Sequence, residues 1–289
     1  MKYNSLIYIA LLCLSLASGC SKGYDSADEE FGQMRFSLEY PGETKVSSAG
    51  FEEGDVVGLY MTEYENGKAS PLHLSGNAVN NETLTFDGVS WTPAKKLYWN
   101  IDTMYDAYGY FPSNTPSSVE EYNFHVAEDQ SVSGAYESSD FLWAKASGVR
   151  YPKTIGLKFS HRMSRVVIKI LKGDGFEGDF PDSLSVRIHG VVTSALVNLG
   201  TGSVMSDARA SKSTITARRQ SVDTYAAILV PQSLTSRQPL VEIQYDGVSY
   251  LVEGRMIFRS GVQHQLNITL NSNPDKVRID VGGEVRDWD

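Results

Sequence analysis

At 289 residues the chain is long enough for two ordinary domains or one large β-fold, and a hydrophobic share of 41% suffices for a packed core. Its 26 Lys and Arg stand against 35 Asp and Glu, a net charge of −9 with no basic run. That balance argues against a nucleic-acid partner, whose phosphates need a Lys/Arg surplus on one face.

Residues 1–20 read as a targeting segment: Lys2 supplies positive charge, Leu6 to Leu16 is an apolar run, and Ala17-Ser18-Gly19 precede Cys20. The run is too short for a permanent spanning helix. Gly19-Cys20 resembles the lipobox of bacterial lipoproteins, in which the cysteine is acylated. That pattern prefers Leu three positions before the cysteine, whereas here Leu16 lies four before and Ala17 holds the site. Acyl chains on Cys20 would hold the protein to the outer membrane. Cys13 leaves with the signal, so the mature chain has no thiol to form a disulfide or to act as a nucleophile. Residues 21–31 are polar, acidic and aperiodic, and read as a flexible tether. Acids directly behind a lipidated cysteine also resemble the surface-export signal of Bacteroides-type lipoproteins.

Beyond the tether the pattern is short strands punctuated by Gly, Asn, Asp and Pro. Met34, Phe36, Leu38 and Tyr40 alternate and predict a first strand ended by Pro41-Gly42, and Asp55 to Tyr64 predicts a second. Leu84 to Trp91 carries Asp87-Gly88 between alternating apolar residues, the signature of a two-residue hairpin turn. Lys96 to Trp99 follows as a short strand. Met104 to Phe111 is aromatic on both faces, which predicts a central strand covered on both sides. Tyr122 to Val126, Phe141 to Ala144 and Lys153 to Phe159 complete this half.

Within Ile155 to Leu171 the apolar residues fall on odd numbers up to Met163 and on even numbers from Val166 to Ile170. A strand with one buried face cannot change phase. Either a bulge lies at Ser164-Arg165 or two strands meet there, and we read it as a handover between an N-terminal β-domain, 32–163, and a C-terminal one, 164–289. Strands follow at Leu184–Val192, Ala195–Leu199, Thr214–Ala217 and Tyr225–Val230, then an Asp-Gly hairpin at Val241–Val252. Val262 to Leu270 alternates without a break, and Val277, Ile279 and Val281 come last. The whole predicts an all-β protein of two antiparallel sandwiches. The Asp-Gly-Val-Ser stretches at 87–90 and 246–249 do not mark a tandem repeat, because the surrounding landmarks occur in different orders.

Motifs for chemistry are weak. Gly173 to Gly178 has G-x-G-x-x-G spacing, but Pro181 stands where a helix should open, so it reads as a surface turn. Asp174, Glu177, Asp179 and Asp182 lack the spacing of a calcium loop and read as solvated, and no metal or cofactor is assigned. Five scattered histidines show no zinc pattern; His161 and His264 sit on the apolar phase of their strands and read as core or interface residues hydrogen-bonded to backbone. No nucleophile elbow is present, and Glu52, Glu53, Asp55, Glu120 and Glu121 read as loop charges, so no catalytic residue is assigned. Trp91, Tyr98, Trp99, Tyr105, Tyr108, Tyr110, Phe111 and Trp143 read first as core and second as a sugar-stacking platform.

Gly54-Asp-Val-Val-Gly-Leu-Tyr60, Leu97-Tyr-Trp99, Tyr108-Gly-Tyr-Phe-Pro112, Asp140-Phe-Leu-Trp-Ala144, Leu157-Lys-Phe-Ser-His161 with Met163 and Val166, Tyr225 to Pro231 and Val285-Arg-Asp-Trp288 follow one another behind the lipobox. In that order the chain resembles the fimbrillin family, subunits of type V pili in Bacteroides-type bacteria. The resemblance implies two tandem transthyretin-like (Greek-key) β-sandwich domains and a non-enzymatic surface pilus or adhesive subunit. It also implies assembly with other pilus subunits by β-strand addition. In polymerising members an Arg-specific protease removes the first strand, which makes Arg35 the candidate cleavage site; its other reading is an outward-facing strand residue. The candidate donor strand is the terminal segment with Val277, Ile279, Val281, Val285 and Trp288, which could equally pair within its own domain. The other reading is a surface glycan-binding lipoprotein with an aromatic sugar-stacking site, and the expected external partners are surface glycans or proteins of host or bacteria. Asp25-Ser-Ala27, Asp102-Thr-Met104 and Asp182-Ser-Leu184 resemble the O-glycosylation motif of these bacteria.

Overall fold

The computed structural model describes residues 32–42, 50–173, 175–176, 179–180, 183–245, 247–271, 278–280 and 286–288. In chain order the first half comprises β1 (Phe36–Glu39), β2 (Val56–Glu65), β3 (Lys68–Ala69), β4 (Val79–Phe86), β5 (Trp91–Pro93), β6 (Tyr105–Phe111) and β7 (Tyr122–His125). A single helical turn, α1 (Ala135–Ser138), then precedes β8 (Leu142–Val149), β9 (Ile155–Lys158) and β10 (Ser160–His161). The second half comprises β11 (Ser164–Lys172), β12 (Ser185–Val192), β13 (Ser194–Asn198), β14 (Ser203–Ser206), β15 (Lys212–Thr216), β16 (Arg218–Arg219) and β17 (Thr224–Leu229). After them come β18 (Gln232–Tyr245), β19 (Val248–Phe258), β20 (Val262–Leu270), β21 (Arg278–Asp280) and β22 (Arg286–Asp287). The protein is almost wholly β, as its residue pattern predicts.

The phase change resolves into separate strands. β10 pairs with β8, whereas β11 runs between β17 and β20 in another sheet, and Met163 and Ser164 are both fully buried at the step. From Ser164 the even residues Val166, Ile168 and Ile170 face the second core.

The main sheet of the first half has the order β10-β8-β6-β2-β4-β5, with β3 beside β2. β6 is central and buried almost throughout. Its Tyr105 and Ala107 join Val57, Leu59, Leu142 and Ala144 in a core closed by Met34 and by Leu38, Ile155 and Leu157 of the small β1–β9 sheet. Its Tyr108 and Tyr110 face the other way and join Tyr60, Phe141 and Trp143 in a second cluster. That cluster is continuous with the core of the second half, where the β16-β17-β11-β20-β21 sheet packs against β15-β12-β18-β19. β7 explains the continuity: Tyr122–His125 pairs with β13, which also pairs with β14, and Tyr122 and Phe124 meet Tyr110 and Phe141 at 5.1–6.1 Å between ring centroids. Gln130, fully buried, adds a staple: its side-chain amide donates to the Ile228 carbonyl and its oxygen accepts from the Ile228 N–H.

Three local expectations change. β1 pairs with β9 in parallel, as β11 does with β20, so the ladders are not all antiparallel. Asp87-Gly88 does not make a two-residue turn; the strands close at Phe86 and Trp91 across four residues, because the Asp87 carboxylate accepts the N–H groups of Val89 and Ser90. The second hairpin does close over two residues, at Tyr245 and Val248. Lys96–Trp99 is not a strand but a single bridge, Tyr98 to Gln33.

Two tests follow from this packing. A Cβ added at Gly58 would lie 2.2 Å from the Tyr110 ring, whereas one at Gly156 meets nothing within 4 Å. Gly58→Ala should cost about 1–3 kcal/mol in denaturant unfolding, and Gly156→Ala close to nothing. Asp106, on the same buried face, holds its proton poorly: burial pushes its pKa up, but the Lys145 ammonium at 2.9 Å and the Gly148 N–H and Tyr64 hydroxyl bring it below the ordinary value. Its contribution to stability is complete above the ordinary aspartate pKa of about 3.9 and is lost as pH falls through the lower folded value. Asp106→Asn should lower stability at neutral pH and flatten the acid limb of a stability-versus-pH curve.

Candidate functional site: the two chain ends and the junction between halves

The first described residues form an extended run that changes partner at Arg35. Met34 N–H donates to the Leu97 carbonyl (2.8 Å) and Trp99 N–H to the Gly32 carbonyl (2.7 Å), both against the first half's core. Beyond Arg35 the chain turns to β9, with Ile155 N–H donating to the Arg35 carbonyl (2.8 Å) and Phe159 N–H to that of Glu39 (2.9 Å). Arg35 itself is exposed beside a hollow of about 220 Å³ walled by Trp99, Tyr151 and Lys153. It lies just before β1 and not inside it, so a cut after Arg35 would separate Gly32–Arg35 from β1 and leave β1 in the chain.

The opposite end returns to the junction. β21 and β22 both pair antiparallel with β20, Ile279 opposite Ile268 and Asp287 opposite Val262. Trp288 N–H then donates to the Gly261 carbonyl (2.9 Å), while Gly261 N–H donates to that of Met163 (2.9 Å). Gly261 has φ 67°, a left-handed turn that a side chain would strain. The closing residues thus pair within their own half. Cys20, Val277, Val281 and Val285 lie outside the described residues, as do Asp25-Ser-Ala27 and Asp182.

Both ends converge on His161. Its imidazole is buried and stacks on the Trp288 indole at 3.8 Å with 4° between planes, while the Tyr40 ring meets it edge-on at 5.9 Å. Nδ1 contacts the Asp140 carboxylate at 2.9–3.0 Å, so the buried histidine is held by a carboxylate and not by backbone. The Arg165 guanidinium lies 5.9 Å from the Trp288 ring. Tyr40, Tyr136, Asp140, His161, Arg165 and Trp288 enclose a cleft of about 350 Å³. Burial first, then the carboxylates of Asp140 and Asp55, pushes the Tyr40 phenol far up; burial pushes Tyr136 up to about 12. Neither phenol ionises at physiological pH, so both act as uncharged ring walls. His264, also buried, accepts the Arg259 N–H at Nε2 (3.3 Å), and burial and then the nearby Arg259 charge lower its pKa.

The aromatic set is core in the main. Trp99, Tyr105, Tyr108, Tyr110 and Trp143 are buried, Trp91 and Phe111 half-buried, and Tyr98 alone of the eight is exposed. Strand periodicity marked His161, and the resemblance of the closing segment marked Trp288. Their pairing across the fold had no local signal.

A model of the fimbrillin-like family matches residues 44–288. The chain belongs to that family. Among solved structures it superposes on a chain from Bacteroides uniformis described as a candidate cell adhesion protein, with TM-score 0.69 and 19% identity, covering 90% of this chain and 99% of that one. A similarly described chain from Bacteroides ovatus gives 0.70 and 16%, covering 89% and 96%. A fimbrial protein from Bacteroides vulgatus gives 0.54 and 14%, covering 89% and 99%. These likenesses fix the fold. No curated protein matches by sequence.

The stacked Trp288 carries a test. Trp288→Ala should cost about 3 kcal/mol and raise hydrogen exchange along β20, while Trp288→Phe keeps a stacking ring and recovers most of the loss. Equal exchange in all three proteins would show that the closing segment is held elsewhere.

Proposed function

We propose that this fimbrillin-like protein is a non-enzymatic subunit of a surface pilus or a pilus-associated adhesin. It reaches the outer membrane as a lipoprotein through Cys20 and joins other subunits by strand addition. In this reading residues 32–163 and 164–289 are tandem transthyretin-like domains, a division supported by the separate sheets that take β10 and β11. Family membership and likeness to fimbrial and adhesion proteins of Bacteroides support the role.

The observation that carries strand addition is the change of partner at Arg35. A protease cutting after this exposed arginine frees the segment Gly32–Arg35, uncovering the Leu97 carbonyl, the Trp99 N–H, the Ile155 N–H and the place of buried Met34 in the core. A row of unpaired backbone groups beside an apolar hole is what an incoming strand satisfies. The donor is the closing segment with Val277, Ile279, Val281, Val285 and Trp288, of which Arg278–Asp280 and Arg286–Asp287 pair with β20 in the single chain. The ligand class is a surface protein or glycan of host or bacterial cells. The buried aromatics leave the glycan-platform reading with Tyr98 as its one exposed ring among the eight.

Mass spectrometry of the mature N-terminus on material sheared from the cell surface tests this. A polymerised subunit should begin at Phe36, and Arg35→Gln should keep the uncut chain out of the sheared fraction. Recovery only of chains that begin at acylated Cys20 would overturn the strand-addition role.

A further inference from the structure

β19 ends the β15-β12-β18-β19 sheet, so one side of its backbone has no strand partner among the described residues. Natural edge strands are usually short or blunted by Lys, Pro or a bulge, because a bare edge is a template for another strand. β19 has none of these devices. It runs for 11 residues, VSYLVEGRMIF, and the extra residues at both irregularities of the β18–β19 ladder belong to β18. Its alternation is unbroken: Tyr250, Val252 and Phe258 are buried, while Leu251, Glu253, Arg255 and Ile257 are exposed on the outer face.

The outer row reads as its own complement. Laid antiparallel on a second copy about Gly254, Glu253 of each strand falls opposite Arg255 of the other, and Leu251 opposite Ile257. The inner row matches as well, with Val252 opposite Met256 and Tyr250 opposite Phe258. Directly opposite residues of antiparallel strands stand close enough for charge and apolar pairs to stabilise the ladder. Gly254 lies on the axis and places no side chain there. Leu251 and Ile257 are 49% and 55% exposed in the single chain, a large apolar display to leave in water on one edge. Glu253 already meets Arg237 of β18 at 3.0 Å, and its carboxylate has room for a second cation. Arg255 has no ion pair among the described residues.

We infer that β19 is a self-complementary docking edge through which two copies of this chain pair antiparallel about Gly254. The contact is isologous, with the same patch used by both partners, so it closes at two copies. Four strands from each copy become one continuous sheet. The pairing uses neither Arg35 nor the closing segment, so it would couple two chains side by side whether or not strand addition links them end to end.

Sedimentation of the full chain in mild detergent tests it. Wild type should dimerise in a concentration-dependent way. Arg255→Glu, and separately Glu253→Arg, turns both charge pairs of the symmetric contact repulsive and should weaken the dimer roughly thirtyfold. The exchange Glu253→Arg with Arg255→Glu restores opposite pairs and should recover most of the affinity. Both positions are exposed, so thermal midpoints should stay near wild type; Leu251→Lys, which disturbs no charge pair, should also weaken the dimer. A wild type that stays monomeric overturns the inference, as does a dimer indifferent to either single reversal. Single reversals that weaken the dimer without rescue by the exchange overturn the pairing about Gly254.

Discussion

The rest of the structure depends on a sheet with no free face. β2, β6 and β8 bury Val57, Leu59, Ala107 and Leu142 against the β1–β9 cover on one side, and Tyr60, Tyr110, Phe141 and Trp143 against the second half on the other. Exposing the rings of Tyr60, Tyr110, Tyr122, Phe124 and Phe141 would cost on the order of 10 kcal/mol at roughly 1.5–3 kcal/mol each. A penalty of that size equals the whole stability of an ordinary domain, so the halves hold together without a disulfide. The polar atoms that this burial traps must be met locally. The one Tyr110 hydroxyl proton is shared between Asn81 Oδ1 at 2.6 Å and the Asn114 carbonyl at 2.8 Å, and Asp106 gathers Lys145, Tyr64 and the Gly148 N–H.

That double burial was legible in the residues, but its geometry was not. Aromatics on both faces of Tyr105–Phe111 announced a covered central strand, and the phase step at Ser164 announced that one strand ends and another begins. What covers the second face had no local signature. Tyr122, Phe124 and Val126 alternate as any half-buried strand does, and nothing in that pattern says that their partner is β13 in the other half. Parallel pairing of β1 with β9 was hidden for the same reason, since period 2 is common to both strand directions. The Asp87-Gly88 turn misled because a short side chain captured two N–H groups that the dipeptide rule leaves to backbone. At the candidate site, Trp288 and His161 each carried an apolar-phase or family signal. Only the fold brings them to 3.8 Å.

The first and last described segments are fastened by the same means, backbone pairing along an edge plus one buried side chain. At the start, Gly32–Met34 pair with Leu97–Trp99 and sink Met34; at the finish, β21 and β22 pair with β20 and sink Trp288. Such fastenings are short, and few backbone bonds must break for either end to leave, in contrast to the long β11–β20 ladder that spans nine pairs. Low-stability elements are where a fold can change partners without melting its core.

The edges show the same economy. β5 ends its sheet with three residues closing on Pro93, β14 has four residues, and β15 has five beginning at Lys212. Each is too short or too marked to recruit another strand for long. β19 departs from that treatment in length, in regularity and in its exposed Leu251 and Ile257, while its two charges are of opposite sign on either side of a glycine. A random edge could carry those charges in any order. Placed symmetrically about Gly254, they attract a copy in that register, while in the two adjacent same-face registers Glu253 or Arg255 would meet its own copy and repel it, which favours one register over its neighbours.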